Sequence, residues 1–145
     1  MNRFDLSNKF VLITGSCGLL GQKHALALLE IGASIILTDI DENLLIKVKK
    51  SLESKNFHGR IKYYFMDVGS EDSIMNVFKK LKKDNIRIDI LINNAAIDAV
   101  PLNNKKNNKY PDISQWDKEM DVGLKGAYIM IKYFGELMYK KNDGS

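Results

Sequence analysis

The chain has 145 residues, enough for one domain with its own core and too few to argue for two. Its net charge of +4 is spread out and not interleaved with aromatic residues, so we expect no nucleic-acid partner. No apolar run approaches the ~20 residues of a membrane span, so we expect no membrane either. The single cysteine, Cys17, excludes an internal disulfide and fits a cytoplasmic location; with only two histidines beside it, we expect no metal site.

Apolar runs alternate with helical patterns along the first two thirds of the chain. Strands are predicted at 9–14, 34–38, 61–66 and 88–92, and helices at 18–31, at 41–55 and after Ser70. This alternation predicts an α/β fold, a doubly wound, Rossmann-like parallel sheet with four strands in the order 3-2-1-4 and helices on both faces. The apolar stripe predicted on the first helix comprises Leu20, His24, Ala27, Leu28 and Ile31.

The later elements are of unequal clarity. Ser70 is predicted to cap the third helix, whose apolar face holds Ile74, Val77, Phe78 and Leu81. Residues 97–112, rich in asparagine and lysine, have no periodicity; a mobile loop insertion is favoured over a binding loop. Ser114 is then predicted to cap a long helix, whose apolar residues are Trp116, Met120, Leu124, Ala127, Ile131 and Phe134.

A glycine-punctuated turn joins the first strand to the first helix. Its glycines are Gly15, Gly18 and Gly21, with Cys17 where the second glycine of G-x-G-x-x-G would stand. Such a turn presents a helix N-terminus to a phosphate group, which predicts a nucleotide diphosphate ligand. A tight turn without a ligand is the alternative.

Polar residues at the ends of the later strands strengthen the nucleotide interpretation. Asp39 ends the second strand, where a carboxylate can accept hydrogen bonds from an adenosine ribose; capping of the next helix is the alternative. The residues around Asp39 supply no lysine or arginine for a 2′-phosphate, which favours NAD over NADP. Asp67-Val68 and residues 93–96 follow the third and fourth strands, at the same edge of the sheet. Each alone could be a turn.

Together these motifs resemble the short-chain dehydrogenase/reductase family. The resemblance rests on Thr14-Gly15-x-x-Gly18-x-x-Gly21, Asp39, Asp67-Val68 and Asn93-Asn94-Ala95-Ala96, and residues 116–127 resemble the family's long interface helix. It implies an NAD(P)-dependent oxidoreductase that moves a hydride between nicotinamide and a small alcohol or carbonyl substrate, and a homo-oligomer when complete. The implied cofactor contacts are Gly15, Cys17, Gly18, Leu19, Leu20 and Gly21 for the pyrophosphate, Asp39 for the adenosine ribose, Asp67 and Val68 for adenine, and Asn94, Ala95 and Ala96 for the ribose and nicotinamide.

Two departures limit what the resemblance implies. The family's helix asparagine corresponds to Gly123, which has no side chain for a proton relay. The family's catalytic serine and Tyr-x-x-x-Lys lie beyond a fifth strand, and the sequence stops at residues 142–145. We therefore expect a single NAD-binding domain over 1–145, incomplete at its C-terminus, without catalytic residues and inactive alone. Tyr128 and Lys132 do spell Tyr-x-x-x-Lys, but one helix too early, so core or interface packing is expected for Tyr128.

Three other interpretations stay open at this stage. The chain could be a non-catalytic NAD-binding module, or a structural α/β domain that binds no ligand. Within the enzyme class, the Gly-Leu-Leu-Gly turn and Asn-Asn-Ala-Ala-Ile-Asp faintly resemble oxidoreductases of bacterial flagellin and surface-glycan modification.

Overall fold

The computed structural model describes residues 4–97, 113–140 and 142–145. Its four strands form one parallel sheet in the order β3-β2-β1-β4, as predicted. The elements up to the last strand are β1 Phe10–Ile13, α1 Leu19–Glu30, β2 Ser34–Asp39, α2 Glu42–Glu53, β3 Ile61–Phe65, α3 Glu71–Lys83 and β4 Ile90–Ile92. The predicted insertion at 97–112 lies, except for Ile97, outside the described residues.

The two central strands carry the core. Their side chains alternate between the two faces of the sheet, because successive residues of a strand point in opposite directions. Leu12 and Ile36 pack with α3 and the C-terminal helical residues, whereas Val11 and Ile35 pack with α1 and α2. Because both faces are covered, these strands appear in the sequence as continuous apolar runs.

The apolar stripe predicted for α1 is largely wrong, although Leu28 is half-buried and packs against the core. The buried residues of α1 are Gly21, Ala25 and Leu29, while Leu20 is 65% exposed and His24 is also exposed. The buried face of α1 is the one that carries small residues, because α1 packs closely on the turn before it. A Cβ on Gly21 would lie 2.5 Å from the Gly15 carbonyl oxygen.

The N-caps of α2 and α3 and the buried face of α3 are formed by the residue types that favour them. The Asp41 side chain accepts a hydrogen bond from the Leu44 N–H (2.9 Å) at the start of α2. At the start of α3, Ser70 accepts from the Ser73 N–H (3.4 Å), so the predicted cap is confirmed. The predicted apolar face of α3 is confirmed as well: its buried residues are Ile74, Val77 and Leu81, and Phe78 packs against the same core.

The helical residues 113–139, called the long helix below, are less regular than predicted. They comprise α4 Ile113–Met120, α5 Ala127–Met130 and α6 Glu136–Tyr139, separated by wider π-type turns at Asp121–Gly126 and Ile131–Gly135. Ser114, predicted as the cap, lies inside α4. Both wide turns contain glycine, which has a weak helix propensity.

The apolar stripe predicted for the long helix is largely wrong. Of its members only Phe134 is buried, whereas Trp116, Leu124 and Ile131 are more than half exposed. The buried residues of the long helix are Gly126, Ile129, Met130, Phe134 and Met138. The long helix therefore has apolar residues on two faces, one buried and one exposed. Because each wide turn holds more residues than a regular helical turn, the buried residues do not follow the 3.6-residue period.

The last residue lies against the free edge of β4. The Ser145 N–H donates to the Asp89 carbonyl (3.0 Å), and the Leu91 N–H donates to the Ser145 carbonyl (2.7 Å). Ser145 thus bonds through both of its backbone groups to two residues that are two positions apart, which is the hydrogen-bond pattern of paired parallel strands. Among the described helices, none is long and apolar enough to cross a membrane.

Candidate functional site

A cleft of about 530 Å³ opens at the carboxyl ends of the four strands. Ligands of open parallel sheets bind at this edge, where the strand order reverses next to β1. All of the predicted site residues except Gly21 line the cleft: Gly15, Cys17, Gly18, Leu19, Leu20, Asp39, Asp67, Val68, Asn94, Ala95 and Ala96. The structure thus brings together residues that the sequence separates widely.

The glycine turn forms one wall of the cleft. Gly15 has φ +58°, in the left-handed region, and a Cβ there would lie 2.9 Å from the Ala95 Cα. Glycine is therefore required at this position both by conformation and by space. The Gly18 N–H donates to the Gly15 carbonyl (3.2 Å), and α1 starts immediately afterwards. Because the first N–H groups of a helix have no partner within it, α1 directs donors toward this wall.

Thr14 and Asn94 connect that turn to the end of β4. The Thr14 hydroxyl oxygen accepts from the backbone N–H groups of Asn94 and Ala95, both at 3.0 Å. In return, the Asn94 side-chain amide donates to the carbonyls of Thr14 and Gly15, also at 3.0 Å each. Asn94 therefore shapes the turn as well as lining the cleft.

Asp39 lies at the end of β2 with its carboxylate surrounded by backbone donors. Its Oδ2 accepts from the Cys17 N–H (2.9 Å), and its Oδ1 accepts from the N–H groups of Ile40 (2.8 Å) and Asp41 (3.3 Å). The helix-capping role that was the alternative for Asp39 is taken by Asp41. Asp39 therefore does not cap α2, and it lines the cleft.

Asp67 and Val68 form the opposite wall at the end of β3. Asp67 Oδ1 accepts from the Gly69 N–H (2.8 Å), which fixes a tight turn there. The Val68 carbonyl faces the long helix so closely that a Cβ on Gly126 would lie 2.6 Å from its oxygen. This approach brings Val122 into the cleft lining.

Burial and charge make Cys17 an unreactive thiol. Its side chain is 5% exposed, and burial together with the neighbouring Asp39 carboxylate raises its pKa to about 12. At neutral pH it therefore stays protonated, so a nucleophilic role is not supported. Its carbonyl accepts from the Gln22 side chain (2.6 Å), which anchors the turn to α1.

The cleft has a distinctive charge pattern. Asp39 and Asp67 are its acidic groups, and no lysine, arginine or histidine is among the described residues that line it. An anion bound there would rely on backbone N–H groups and the α1 N-terminus rather than on a cationic side chain. The walls are otherwise mostly apolar, which is typical of small-molecule sites.

The Tyr-x-x-x-Lys pair lies outside the cleft. Tyr128 is 67% exposed, so packing in the core is excluded for it. The Lys132 ammonium and the Tyr133 hydroxyl both donate to Glu71 Oε1 at 2.9 Å, and these contacts tie the long helix to α3. Gly123 is exposed, and a Cβ added there would meet nothing within 4 Å.

Sequence reasoning missed several apolar residues of the lining. They are Ile40, Leu44, Met66, Ile97 and Val122. Leu44 carried a signal, because it follows Asp39 closely and extends the apolar face of α2. Val122 carried none, since its place depends on how closely the long helix approaches Val68.

Comparison with known proteins decides the family. The model of the short chain dehydrogenase family matches residues 9–145. The chain belongs to the short-chain dehydrogenase family. Among its relatives, an uncharacterised oxidoreductase of Thermotoga maritima is 35% identical over 97% of this chain and 52% of its own length. A 3-oxoacyl-(acyl-carrier-protein) reductase of the same organism is 31% identical over 97% of this chain and 54% of its own.

Solved structures of short-chain dehydrogenases share the fold. NAD⁺-bound xylitol dehydrogenase superposes with a TM-score of 0.82 at 28% identity, covering 98% of this chain and 52% of that one. A metagenomic short-chain oxidoreductase in complex with NADP gives a TM-score of 0.79 at 26% identity, covering 96% and 60%. The chain thus spans about half the length of the curated relatives it matches. The family binds nicotinamide cofactors of both kinds.

Proposed function

We propose that this chain is the cofactor-binding part of an NAD-dependent oxidoreductase. The pyrophosphate would lie against Gly15, Gly18 and the start of α1, and the adenosine ribose would bond to Asp39. Asp67 and Val68 would flank the adenine, while Asn94, Ala95 and Ala96 would line the path to the nicotinamide. The bound dinucleotide would exchange a hydride with an alcohol or carbonyl carbon of a small substrate.

The choice of NAD over NADP rests on one observation. The carboxylate of Asp39 lines the cleft where we propose that the adenosine ribose binds, and the described lining offers no cationic side chain to balance a 2′-phosphate. A phosphate there would meet a like charge without compensation, which disfavours NADP. Relatives and neighbours include proteins of both cofactor classes, so this preference is argued from the residues of this chain alone.

The shape of the turn supports a bound pyrophosphate. Gly15 leaves no room for a side chain toward Ala95, and a Cβ on Gly18 would meet only the Gly15 carbonyl, at 3.4 Å. Backbone can therefore approach a ligand closely along this wall. The residues of the turn bind and orient; none of them moves a proton.

We further propose that the chain alone binds cofactor without turning over substrate. No serine, tyrosine and lysine among the described residues converge on the cleft, because Tyr128 and Lys132 lie outside it. General acid catalysis needs a group within hydrogen-bond reach of the substrate. The names of the relatives favour an oxidoreductase over a purely non-catalytic module.

Calorimetric titration tests the proposal. The unmodified chain should bind NAD⁺ more tightly than NADP⁺, at least about tenfold, because the 2′-phosphate meets Asp39. Asp39→Asn should reduce that preference, while Glu30→Gln on the exposed end of α1 serves as the matched acid-to-amide control. Equal affinity for the two cofactors in the unmodified chain would contradict the NAD assignment.

We also propose that the exposed face of the long helix pairs with a second copy of the chain. Its exposed apolar residues are Ile113, Trp116, Met120, Leu124, Tyr128 and Ile131. Residues 113–123 carry three acids and one lysine, whereas residues 124–140 carry three lysines and one acid. Two such helices packed antiparallel would bring the acidic half of each against the basic half of the other.

A further inference from the structure

We propose that Asp39 is also a positioning residue for the glycine turn, whose carboxylate holds the Cys17 peptide in the orientation that receives a pyrophosphate. This inference rests on the proposed function of the cleft. It assigns Asp39 a second role, separate from its expected contact with the ribose. The two roles use the same carboxylate and are therefore coupled.

The hydrogen bonds of Asp39 divide between its two oxygens. Oδ1 accepts only from the next two residues of the chain, Ile40 and Asp41. Oδ2 instead reaches across the sheet edge and accepts from the Cys17 N–H at 2.9 Å. One oxygen therefore orients the carboxylate, and the other holds the turn.

Both backbone groups of Cys17, its N–H and its carbonyl, are held by hydrogen bonds. Its N–H is held by Asp39, and its carbonyl accepts from the Gln22 side chain at 2.6 Å. The preceding residue, Ser16, bonds through its N–H (3.0 Å) and its hydroxyl (3.1 Å) to the backbone carbonyl of Thr38. Those bonds do not involve a side chain of β2, so a substitution that removes the Asp39 acceptor would release Cys17 while Ser16 stays in place.

Counting acceptor sites links the turn to the ribose. A carboxylate offers about four lone-pair directions, and backbone N–H groups already occupy three. The remaining direction belongs to Oδ2, the oxygen that holds Cys17. A ribose hydroxyl would therefore share this oxygen with the turn, and a substitution that admits a 2′-phosphate by removing the side-chain acceptor would also release the turn.

Cys17 supplies a specific probe, because it is the only cysteine of the chain. We would measure, without ligand, the hydrogen exchange of the Cys17 amide and the alkylation rate of its thiol as a function of pH. Asp39→Ala should abolish the amide protection, whereas Asp39→Asn keeps a side-chain oxygen as acceptor and should retain most of it. Asp67→Asn, which changes a cleft acid that holds Gly69 instead, should leave Cys17 unchanged.

The pH profile separates the charge of Asp39 from its hydrogen bond. Both variants remove a negative charge that raises the pKa of Cys17, so alkylation should begin at lower pH in both. Each unit by which that pKa falls raises the thiolate fraction, and with it the rate, about tenfold. Only Asp39→Ala should add a pH-independent increase from opening of the turn. Equal amide protection in the unmodified chain and Asp39→Ala would overturn the inference.

Binding of inorganic pyrophosphate, measured by NMR titration, is a second test, in which the affinities of the two Asp39 variants should change in opposite directions. Loss of the Asp39 charge alone would tighten anion binding, so Asp39→Asn should bind pyrophosphate more tightly than the unmodified chain. Asp39→Ala should bind it more weakly, because the turn is released; tighter binding by both would overturn the inference.

If no variant binds pyrophosphate or NAD⁺ while the protection of the Cys17 amide still depends on Asp39, the proposed function fails and the positioning role stands. Should Asp39→Ala fail to fold, the unmodified chain decides, since a Cys17 amide that exchanges as fast as a solvent-exposed amide overturns the inference.

Discussion

Thr14, which follows β1, and Asn94, which follows β4, bond to each other in both directions. The Thr14 hydroxyl accepts the Asn94 N–H at 3.0 Å, and the Asn94 side-chain amide donates to the Thr14 carbonyl at 3.0 Å. The same hydroxyl also accepts the Ala95 N–H. Because Thr14 is 2% exposed, water cannot replace these bonds. The turn after β1 and the segment after β4 therefore form one rigid unit.

Replacing the Thr14 hydroxyl should destabilise the fold and the cleft together. Thr14→Val keeps the shape but leaves the N–H groups of Asn94 and Ala95 unpaired, at a cost of about 2–4 kcal/mol in the free energy of unfolding. Thr14→Ser keeps the hydroxyl and should cost about 1 kcal/mol. Urea denaturation measures both. A loss for Thr14→Ser as large as that for Thr14→Val would contradict a dominant role for the hydroxyl.

Two glycines of the long helix offer a matched pair of substitutions. Gly126→Ala places a Cβ 2.6 Å from the Val68 carbonyl, so the helix must move away, and we expect a loss of about 1–3 kcal/mol. Gly123→Ala meets nothing within 4 Å and should be neutral or stabilising by up to about 1 kcal/mol. Urea midpoints compare the two. Equal effects would contradict the close approach at Val68.

Sequence reasoning succeeded where burial is uniform. Central parallel strands are covered on both faces, so Val11–Ile13 and Ile35–Leu37 appear as apolar runs whatever the helices do. The strand ends then place Asp39, Asp67 and Asn94 at one edge without any knowledge of side-chain contacts. Both the sheet order and the gathering of the cleft residues follow from this.

Sequence reasoning failed where a helix has two apolar faces. Periodicity favoured Leu20 and Leu28 on α1, but backbone approach at Gly21 selected the face with the small residues. On the long helix, the wide turns and the contact of Gly126 with Val68 determine which apolar stripe is buried. Such close backbone contacts leave no signal in hydrophobic periodicity. The hydroxyl of Thr14 was equally unpredictable, because threonine is ordinary at a strand end.

The contacts of Glu71 with Lys132 and Tyr133, which join α3 to the long helix, should weaken in acid. Hydrogen bonds from Lys132 and Tyr133 lower the pKa of Glu71 below its usual 4.5. A carboxyl with a lowered pKa in the folded chain stabilises it above pH 4.5 and loses that contribution as the pH falls through the folded value. Glu71→Gln should therefore show a smaller drop in unfolding free energy between pH 6 and pH 3 than the unmodified chain.

A double-mutant cycle isolates the Glu71 contact. Lys132→Met should reduce the acid dependence in the same direction, and the double variant should lose little more than either single variant. The pair is exposed, so the effect is small and should shrink at high salt. Additive effects of the two substitutions would show that Glu71 and Lys132 do not stabilise each other.

The exposed face of the long helix should drive self-association. Sedimentation velocity should show a concentration-dependent dimer, and fluorescence of Trp116, the only tryptophan, should shift to shorter wavelength as its 51% exposed ring is covered. Leu124→Lys should raise the dissociation constant at least about tenfold, because each copy loses the burial of one leucine. Phe4→Lys changes a side chain of nearly equal exposure (68%, against 67% for Leu124) outside the long helix and should leave association unchanged. A chain that stays monomeric at every concentration, or equal effects of the two lysine variants, would contradict pairing through this face.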